Sequence, residues 1–401
     1  MTKKLYLEDP YVTSFEAEIL ETRDLPEGIA LVFDATYFYP ESGGQPYDLG
    51  TIDGIEVTKV LESEDDTILH FVEKRPEGLQ VRCEIDTARR HDHMQQHSGQ
   101  HVLSAAFVRE AGAETTSFHL GAKVSTIDLD KSSLSNNQVD AVERAVSDVV
   151  ARAVPIKSRF VESVEAKTLE LRKTPPKQDS LRIVEVEGFD RQACCGTHPR
   201  SSAEIGPVVI RGLEKLKGGT RVEFLCGERA LRDYRMTVRR IRSLASVLSS
   251  SEAALVETAQ KLQDERKSMG KELTRLRSEA LASSAEAWMH DADAIGDVHV
   301  LAREITGVGP AELRAIAMEL AAQPGRVLLL GAIDDGRAHL VFARSIDVDA
   351  PMGELLRGSV GRVGGRGGGS PQVSQGGGPD TQRLREALED ARSTLAKRLA
   401  R

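Results

Sequence analysis

Apolar positions change their period several times along the chain, and each change marks a different kind of element. Up to about residue 88 they come in short runs: Phe15 to Ile19 alternates, Ile29 to Phe33 is apolar throughout, and Ile52, Ile55 and Val57 flank the turn-forming pair Asp53-Gly54. Short strands with such punctuation predict a small β-barrel over residues 1–88. Helix and strand periods then alternate over residues 89–245. Arg90 to Val108 repeats at helical spacing with Met94, His97, His101 and Ala105 along one face, and Val139 to Val154 reads as a second helix entered near Ser135-Asn136-Asn137. Leu181 to Val186, Val208 to Ile210 and Arg221 to Gly227 read as short strands, so this region is α+β.

A seven-residue period takes over from Ile241 to about Leu281. Leu248, Leu255, Leu262, Met269 and Leu276 recur in register, Ala245, Ala259, Leu273 and Ala280 fill the seam, and Glu252 and Arg266 interrupt it. Residues 246–290 are expected to form a helical hairpin or coiled coil that supports a homodimer, with Ser249-x-x-Glu252 as a capping box or a local break. Strands at Val298 to Leu301, Val327 to Leu330 and Leu340 to Ala343, with a helix near Ala311 to Ala322, predict an α/β domain over residues 291–401. It contains ten glycines between Gly358 and Gly378, followed by a helix from about Asp380. Arg362 and Arg366 beside these glycines suit a phosphate cradle of backbone N–H groups and guanidinium forks, or a packing element, with a flexible linker as the alternative.

Composition narrows the class. With 29% charged and 40% hydrophobic residues, 401 residues are enough for two or more ordinary globular domains. No apolar run approaches a membrane span, the N-terminal residues lack the apolar core of a signal peptide, and four cysteines, two of them adjacent, make no disulfide framework. The expected location is the cytoplasm. A net charge of −9 argues against indiscriminate nucleic-acid binding, so RNA contact is expected from local patches such as Lys215, Lys217 and Arg221, or from the C-terminal arginines.

The chemistry concentrates in two short segments. His97-Ser-Gly-Gln-His101 places two imidazoles one helical turn apart, and Cys194-Cys195-Gly196-Thr197-His198 offers a thiolate and a third imidazole. Three imidazoles and one thiolate suit one tetrahedral Zn²⁺ per chain, provided the fold joins the segments. His93 shares the stripe of His97 and His101, and is expected to be solvated or to support the ligands. Cys194 keeps the i,i+4 spacing to His198 and is favoured, with Cys195 at i,i+3 as the alternative. Position 98 lacks the glutamate of a zinc protease, so an ester is a better substrate than an amide, or else the zinc is structural. The loop from Thr36 to Pro46 contains Gly43-Gly44, which permits close approach of backbone to a ligand.

Taken together, the Thr36-to-Gly44 loop, the two His/Cys segments, Gly218-Gly219-Thr220-Arg221-Val222-Glu223-Phe224, the long helix and the glycine-rich tail resemble the AlaX family of alanyl-tRNA editing proteins. They also resemble the editing and C-terminal regions of alanyl-tRNA synthetase. The tail looks like the DHH-associated domain of the longer AlaX type. With no aminoacylation core in the chain, the resemblance implies an editor acting in trans: a hydrolase that cleaves serine, or glycine, from mischarged tRNA(Ala). It implies His97, His101, Cys194 and His198 as metal ligands, with His97 and His101 at the reaction centre. Thr36 would face the seryl hydroxyl, and Gln45 and His119 the adenosine or amino acid. The family carries glycine after its metal cysteine, where this chain has Cys195. Two other functions compete: a tRNA-binding or synthetase-associated module with a structural zinc, and a DHH-type phosphoesterase, for which His91-Asp92-His93 is the nearest match to the required motif.

Overall fold

The alternating N-terminal runs close into a barrel. Its strands are β1 (Ser14–Leu25), β2 (Gly28–Phe33), β3 (Gly50–Ile52), β4 (Ile55–Glu62), β5 (Ile68–Val72) and β6 (Gln80–Ile85), in the cyclic order β1-β2-β5-β4-β3-β6. Inward positions such as Ile19, Leu31, Phe33, Ile52, Val60 and Ile68 make one core. Each large apolar side chain buried there contributes about 1.5–3 kcal/mol. The computed structural model describes residues 2–174 and 178–400, which form two compact units, Met1–Leu244 and Ala245–Arg401.

Helix α1 (Thr87–Ala106) follows the barrel directly, capped by the Asp86 carboxylate, which accepts from the Arg89 N–H at 3.0 Å. The apolar stripe in the sequence predicts a helix with one solvent face. Instead, α1 is buried on nearly every side. Its polar residues are therefore matched one by one. Gln96 bonds both backbone groups of Cys226, accepting from its N–H at 3.0 Å and donating to its carbonyl at 3.0 Å. Gln95 donates to the Glu204 carbonyl, and Arg90 forms a buried ion pair with Asp48 while donating to the Pro10 and Tyr37 carbonyls. Removing one partner of such a pair would leave an uncompensated buried group.

Around α1 lie β7 (Thr115–Leu120) and β8 (Ser125–Leu129), helix α2 (Asn136–Ala151), and the strands β9 (Ile156–Glu162), β10 (Ser180–Val186) and β11 (Asp190–Ala193). Ser135 and Gln138 cap α2 reciprocally at the entry expected from the sequence, and the helix ends at Ala151 rather than Val154. The antiparallel sheet β9-β10-β11 ends at Ala193, directly before the Cys194 segment. Strands β12 (Val208–Leu216) and β13 (Gly219–Cys226) complete a second sheet, order β12-β13-β8-β7, and α3 (Gly227–Val247) leaves from it.

The long heptad helix is not continuous. Ser249 adopts a positive φ of 49°, and α4 (Leu255–Trp288) restarts after a short turn in which the Ser251 hydroxyl, not that of Ser249, accepts from the Ala254 N–H. Leu262, Met269, Leu273 and Leu276 are exposed along α4.

The second unit continues with a mixed sheet built from β14 (Asp293–Ile295), β15 (Val298–Ile305), β16 (Arg326–Asp334), β17 (Arg337–Arg344), β18 (Arg366–Gly369) and β19 (Val373–Gly378), in the order β14-β15-β16-β17-β19-β18. Within this sheet, only the β15–β16 pair is parallel among the described residues. Strand β16 reads as a continuous apolar run because both its faces are covered: Val327 and Leu329 face one core, Leu328 and Leu330 the other. Helices α5 (Pro310–Leu320), α6 (Met352–Arg362) and α7 (Leu384–Leu399) supply those layers. The glycine-rich segment is thus a strand pair on the sheet edge rather than a linker. No helix among the described residues is long and apolar enough to cross a membrane.

Candidate metal centre

The barrel, α1 and the segment after β11 meet in one place. His97 and His101 project from the same side of α1, and Cys194 and His198 arrive on the chain leaving β11, so one donor atom from each lies within 4.8 Å of every other. The Cys194 Sγ sits 3.3 Å from Nε2 of both His97 and His198. The ring centroids of His97 and His198 are 4.7 Å apart, and those of His101 and His198 4.9 Å. Cys195 is exposed and outside the cluster, whereas Cys194 belongs to it. His93 is buried rather than solvated, since α1 has no solvent face at that point. It too is outside the cluster.

Each imidazole is oriented by a different neighbour. His97 Nδ1–H donates to Gln45 Oε1 at 2.7 Å, His101 Nδ1–H to Asp190 Oδ2 at 3.1 Å, and His198 Nδ1 bonds the Ser98 hydroxyl at 2.8 Å. With Nδ1 occupied in all three rings, Nε2 is the atom left for a metal. Outer partners of this kind fix the ring and raise ligand basicity. Gln45 is itself locked, donating to Thr197 Oγ1 at 2.8 Å and accepting from the Thr197 N–H, and Arg172 holds Asp190 at 2.8 Å. Gly196 makes this packing possible: a Cβ there would lie 2.2 Å from the His97 ring.

Electrostatics agree with a cation site. Burial works against ionising the Cys194 thiol, yet His97, His198 and His101 around it hold it well below its ordinary range. Burial drives His198 down to about 3, so that ring stays neutral, as a metal ligand must. Burial also opposes charge on Asp190, but His101 and Arg172 keep its carboxylate ionised below the usual range. Burial works against charge on His101, yet without a metal Asp190 and Cys194 outweigh it and push that ring up to about 9, so it gives up its Nε2 proton when a cation binds. A neutral His198, a favoured thiolate and three rings held at Nδ1 fit Zn²⁺.

A cleft of about 350 Å³ opens beside the cluster. Gly43, Phe118, Gln100, Arg172, Lys173 and Arg182 are among its walls, and no carboxylate lines it among the described residues. Sequence reasoning had not singled out Ser98, Asp190, Phe118 or these three cations. Asp190 sits four residues before Cys194 and could have been found by that proximity; the others carry no local signal. Arg182 is buried, and its guanidinium braces the Cys194 and Gly196 carbonyls at 3.0 and 2.9 Å. Gly44, with φ of 81°, leaves room for Phe118, whose ring would lie 2.6 Å from a Cβ at that position.

Other expected site residues lie elsewhere. Strand alternation in β7 turns Phe118 to the cleft and leaves His119 exposed, outside the cleft lining. Thr36 is buried and does not line the cleft either. His70 donates from Nδ1 to the Leu31 carbonyl at 3.1 Å, so its Nε2 accepts the Thr36 hydroxyl proton at 2.9 Å, and Thr36 Oγ1 accepts from the Phe38 N–H. The hydroxyl expected to face a seryl group is already engaged. Arg362 pairs with Glu386 and Asp390 on α7, and Arg366 begins the edge strand β18. The glycines beside them are filled by backbone: a Cβ on Gly365 would lie 1.7 Å from the Gly377 carbonyl oxygen.

Two family models match this chain. The second additional domain of threonyl and alanyl tRNA synthetase covers residues 181–223, which include the Cys194 segment, and the DHHA1 domain covers residues 297–397. The alanine–tRNA ligase of Methanopyrus kandleri is 31% identical over 412 residues, covering 97% of this chain and 44% of the ligase. That of Natronomonas pharaonis is 33% identical, covering 99% and 44%. The chain thus spans less than half the length of these ligases. The alanyl-tRNA editing protein AlaX-L of Pyrococcus horikoshii is 27% identical over 386 residues, with 94% of each chain covered. The solved C-Ala domain of Aquifex aeolicus alanyl-tRNA synthetase matches 27% of this chain and 98% of its own at 23% identity, with a TM-score of 0.25.

Proposed function

From its position as a relative of the long AlaX-type alanyl-tRNA editing proteins, similar to one of them over nearly the full length of both, we propose that this chain hydrolyses the ester of tRNA(Ala) mischarged with serine, or with glycine. One observation carries the reading: the cleft next to the His97, His101, Cys194 and His198 cluster is lined by Lys173, Arg182 and the Asp190-paired Arg172 and, among the described residues, by no carboxylate, in a chain of net charge −9. Such a cleft favours an anionic substrate, as the phosphodiester-linked 3′ end of an RNA is.

A bound Zn²⁺ would supply Lewis acidity at the ester carbonyl. The chain supplies position. Gln45, Asp190 and Ser98 keep the three rings from turning, and Arg182 fixes the loop that carries Cys194. Phe118, seated on Gly44, offers a flat wall for the terminal adenosine, and Gly43 a close approach of backbone. An aminoacyl ester is far more labile than a peptide, so holding it in line with a water accounts for much of the rate, and Ser98 in place of a protease glutamate fits that demand. A site that requires the seryl hydroxyl can reject alanine, because alanine leaves a buried polar partner unpaired. Thr36 enters as a positioning residue: through Phe38 and His70 it sets the start of the loop that delivers Gly43, Gly44 and Gln45.

The test compares hydrolysis of seryl-tRNA(Ala) and alanyl-tRNA(Ala) by intact and chelator-treated protein. Clearance of the seryl ester that disappears on chelation and returns with Zn²⁺ is expected; clearance of neither ester overturns the function. Four protein donors also suit a structural zinc in an RNA-binding module. That reading requires RNA binding without turnover and a collapse of thermal stability on chelation.

A further inference from the structure

A second basic feature lies on the first unit, away from the cleft lining. It is a groove of about 790 Å³ between one face of α1 (Ala88, His91, Asp92, Gln95), the turn at residues 122–124 and one face of α3 (Arg229, Arg232, Met236, Arg240). The α3 residues recur at i, i+3, i+7 and i+11, so they form a single stripe.

The charges in this groove do not cancel. Each carboxylate on its walls has a cation. Asp92 takes Arg229 in a two-point contact, Asp233 takes Arg211 at 3.5 Å, and Glu228 takes Arg235 at 3.2 Å. Arg232, Arg240 and Lys123 are left on the same walls without a carboxylate partner among the described residues. All three are exposed, as is the neighbouring Arg239. Arg232 and Arg240 stand about 12 Å apart along the helix at 1.5 Å per residue. Exposed, unpaired cations in a row are the footprint of a polyanion with regularly spaced charges. In the patch expected from the sequence, Arg221 is held by Asp128 at 2.7 and 2.9 Å, while Lys215 and Lys217 are exposed.

We propose that this groove docks the phosphate backbone of double-helical RNA next to the reactive 3′ end, with Arg232, Arg240 and Lys123 as the contacts. The inference rests on the editing function above for the identity of the RNA, but its test does not depend on turnover. The full chain and the variant K123Q/R232Q/R240Q are titrated with an uncharged RNA hairpin bearing a single-stranded 3′ tail, over a range of salt concentrations. Hydrolysis of a seryl ester of adenosine, which has no duplex, is measured in parallel.

The expected result is about a tenfold or greater loss of hairpin affinity, with the slope of log affinity against log salt shallower by up to about three. Hydrolysis of the adenosine ester stays unchanged. An unaltered slope and affinity overturn the docking surface even if the wild type edits. A variant that changes oligomeric state while keeping its RNA affinity overturns it too, by marking the stripe as a protein contact. Should the wild type cleave neither ester, the editing function falls while the hairpin titration still decides the groove.

Discussion

Two regions of this chain look like ligand sites in the sequence, and folding treats them differently. In the first unit, the His97 and Cys194 segments bring four donor atoms within 4.8 Å and orient each imidazole from outside. In the second, the glycines after Gly358 and the arginines Arg362 and Arg366 suggested a phosphate cradle. There, Gly365, Gly369 and Gly378 are filled by the backbone of neighbouring residues, and Arg362 is neutralised by two carboxylates of α7. The difference lies in what remains unsatisfied after packing. A cluster becomes a site when its polar atoms are aimed and unused. Glycines pressed against strands have already given up their space.

Substitutions can break this contrast. The largest effect is expected from His97→Ala, which removes one donor: bound zinc, measured by elemental analysis, and seryl-ester hydrolysis should each fall by about a hundredfold or more. A variant that kept both would detach the cluster from the chemistry. The barrel provides an internal control, a histidine buried as deeply as the ligands but with no thiolate beside it. Burial holds His70 neutral down to about 4, against 6.5 when unfolded. Between those values the unfolded chain binds the extra proton, so stability falls as pH drops through that window and is level below it. The loss is on the order of 3 kcal/mol. Denaturant titrations at pH 7 and 4.5 should show a shallower fall in His70→Gln than in the wild type, the remainder coming from His198 and His93, which burial also holds neutral.

Asp190→Asn should weaken zinc binding by about 10–100-fold while leaving the fold in place, read by competition with a metallochromic chelator. Wild-type affinity in that variant would remove Asp190 from the supporting set. Thr36→Val deletes the acceptor for the Phe38 N–H and the donor to His70, at about 1–3 kcal/mol of stability. Serine clearance should drop more than zinc content, and an equal loss of both would count against a positioning role. The smallest effect is expected from Arg362→Gln, an exposed ion pair worth about 0.2–1 kcal/mol, with zinc content and RNA affinity unchanged. A marked loss of RNA affinity there would restore the glycine-rich edge as a binding element.

Some of this was written locally. The alternation of residues 15–19 and the apolar run of residues 29–33 mark barrel strands, the run Val327 to Leu330 is a strand covered on both faces, and HxxxH on a helix puts two imidazoles on one side whatever surrounds it. Heptads from Leu248 to Leu276 likewise predict helix, but they could not show the break at Ser249, because a single left-handed residue costs the pattern nothing. His119 and Phe118 are adjacent, and only the phase of β7 decided which one meets the cleft. Cys194 and Cys195 both satisfied the spacing; the direction in which the chain leaves β11 separated them.

The amino-acid sequence by itself determined the donor types, their spacing and the periodicities that build each element, since these depend on neighbours within a turn or a strand. Tertiary structure alone decided that α1 has no solvent face, that Gln45 from the barrel locks a ring on that helix, and that Thr36 gives its proton to His70. Those outcomes depend on which polar groups are left without water and what stands within 3 Å of them, and partners that meet across 34, 52 or 89 residues leave no trace in local pattern.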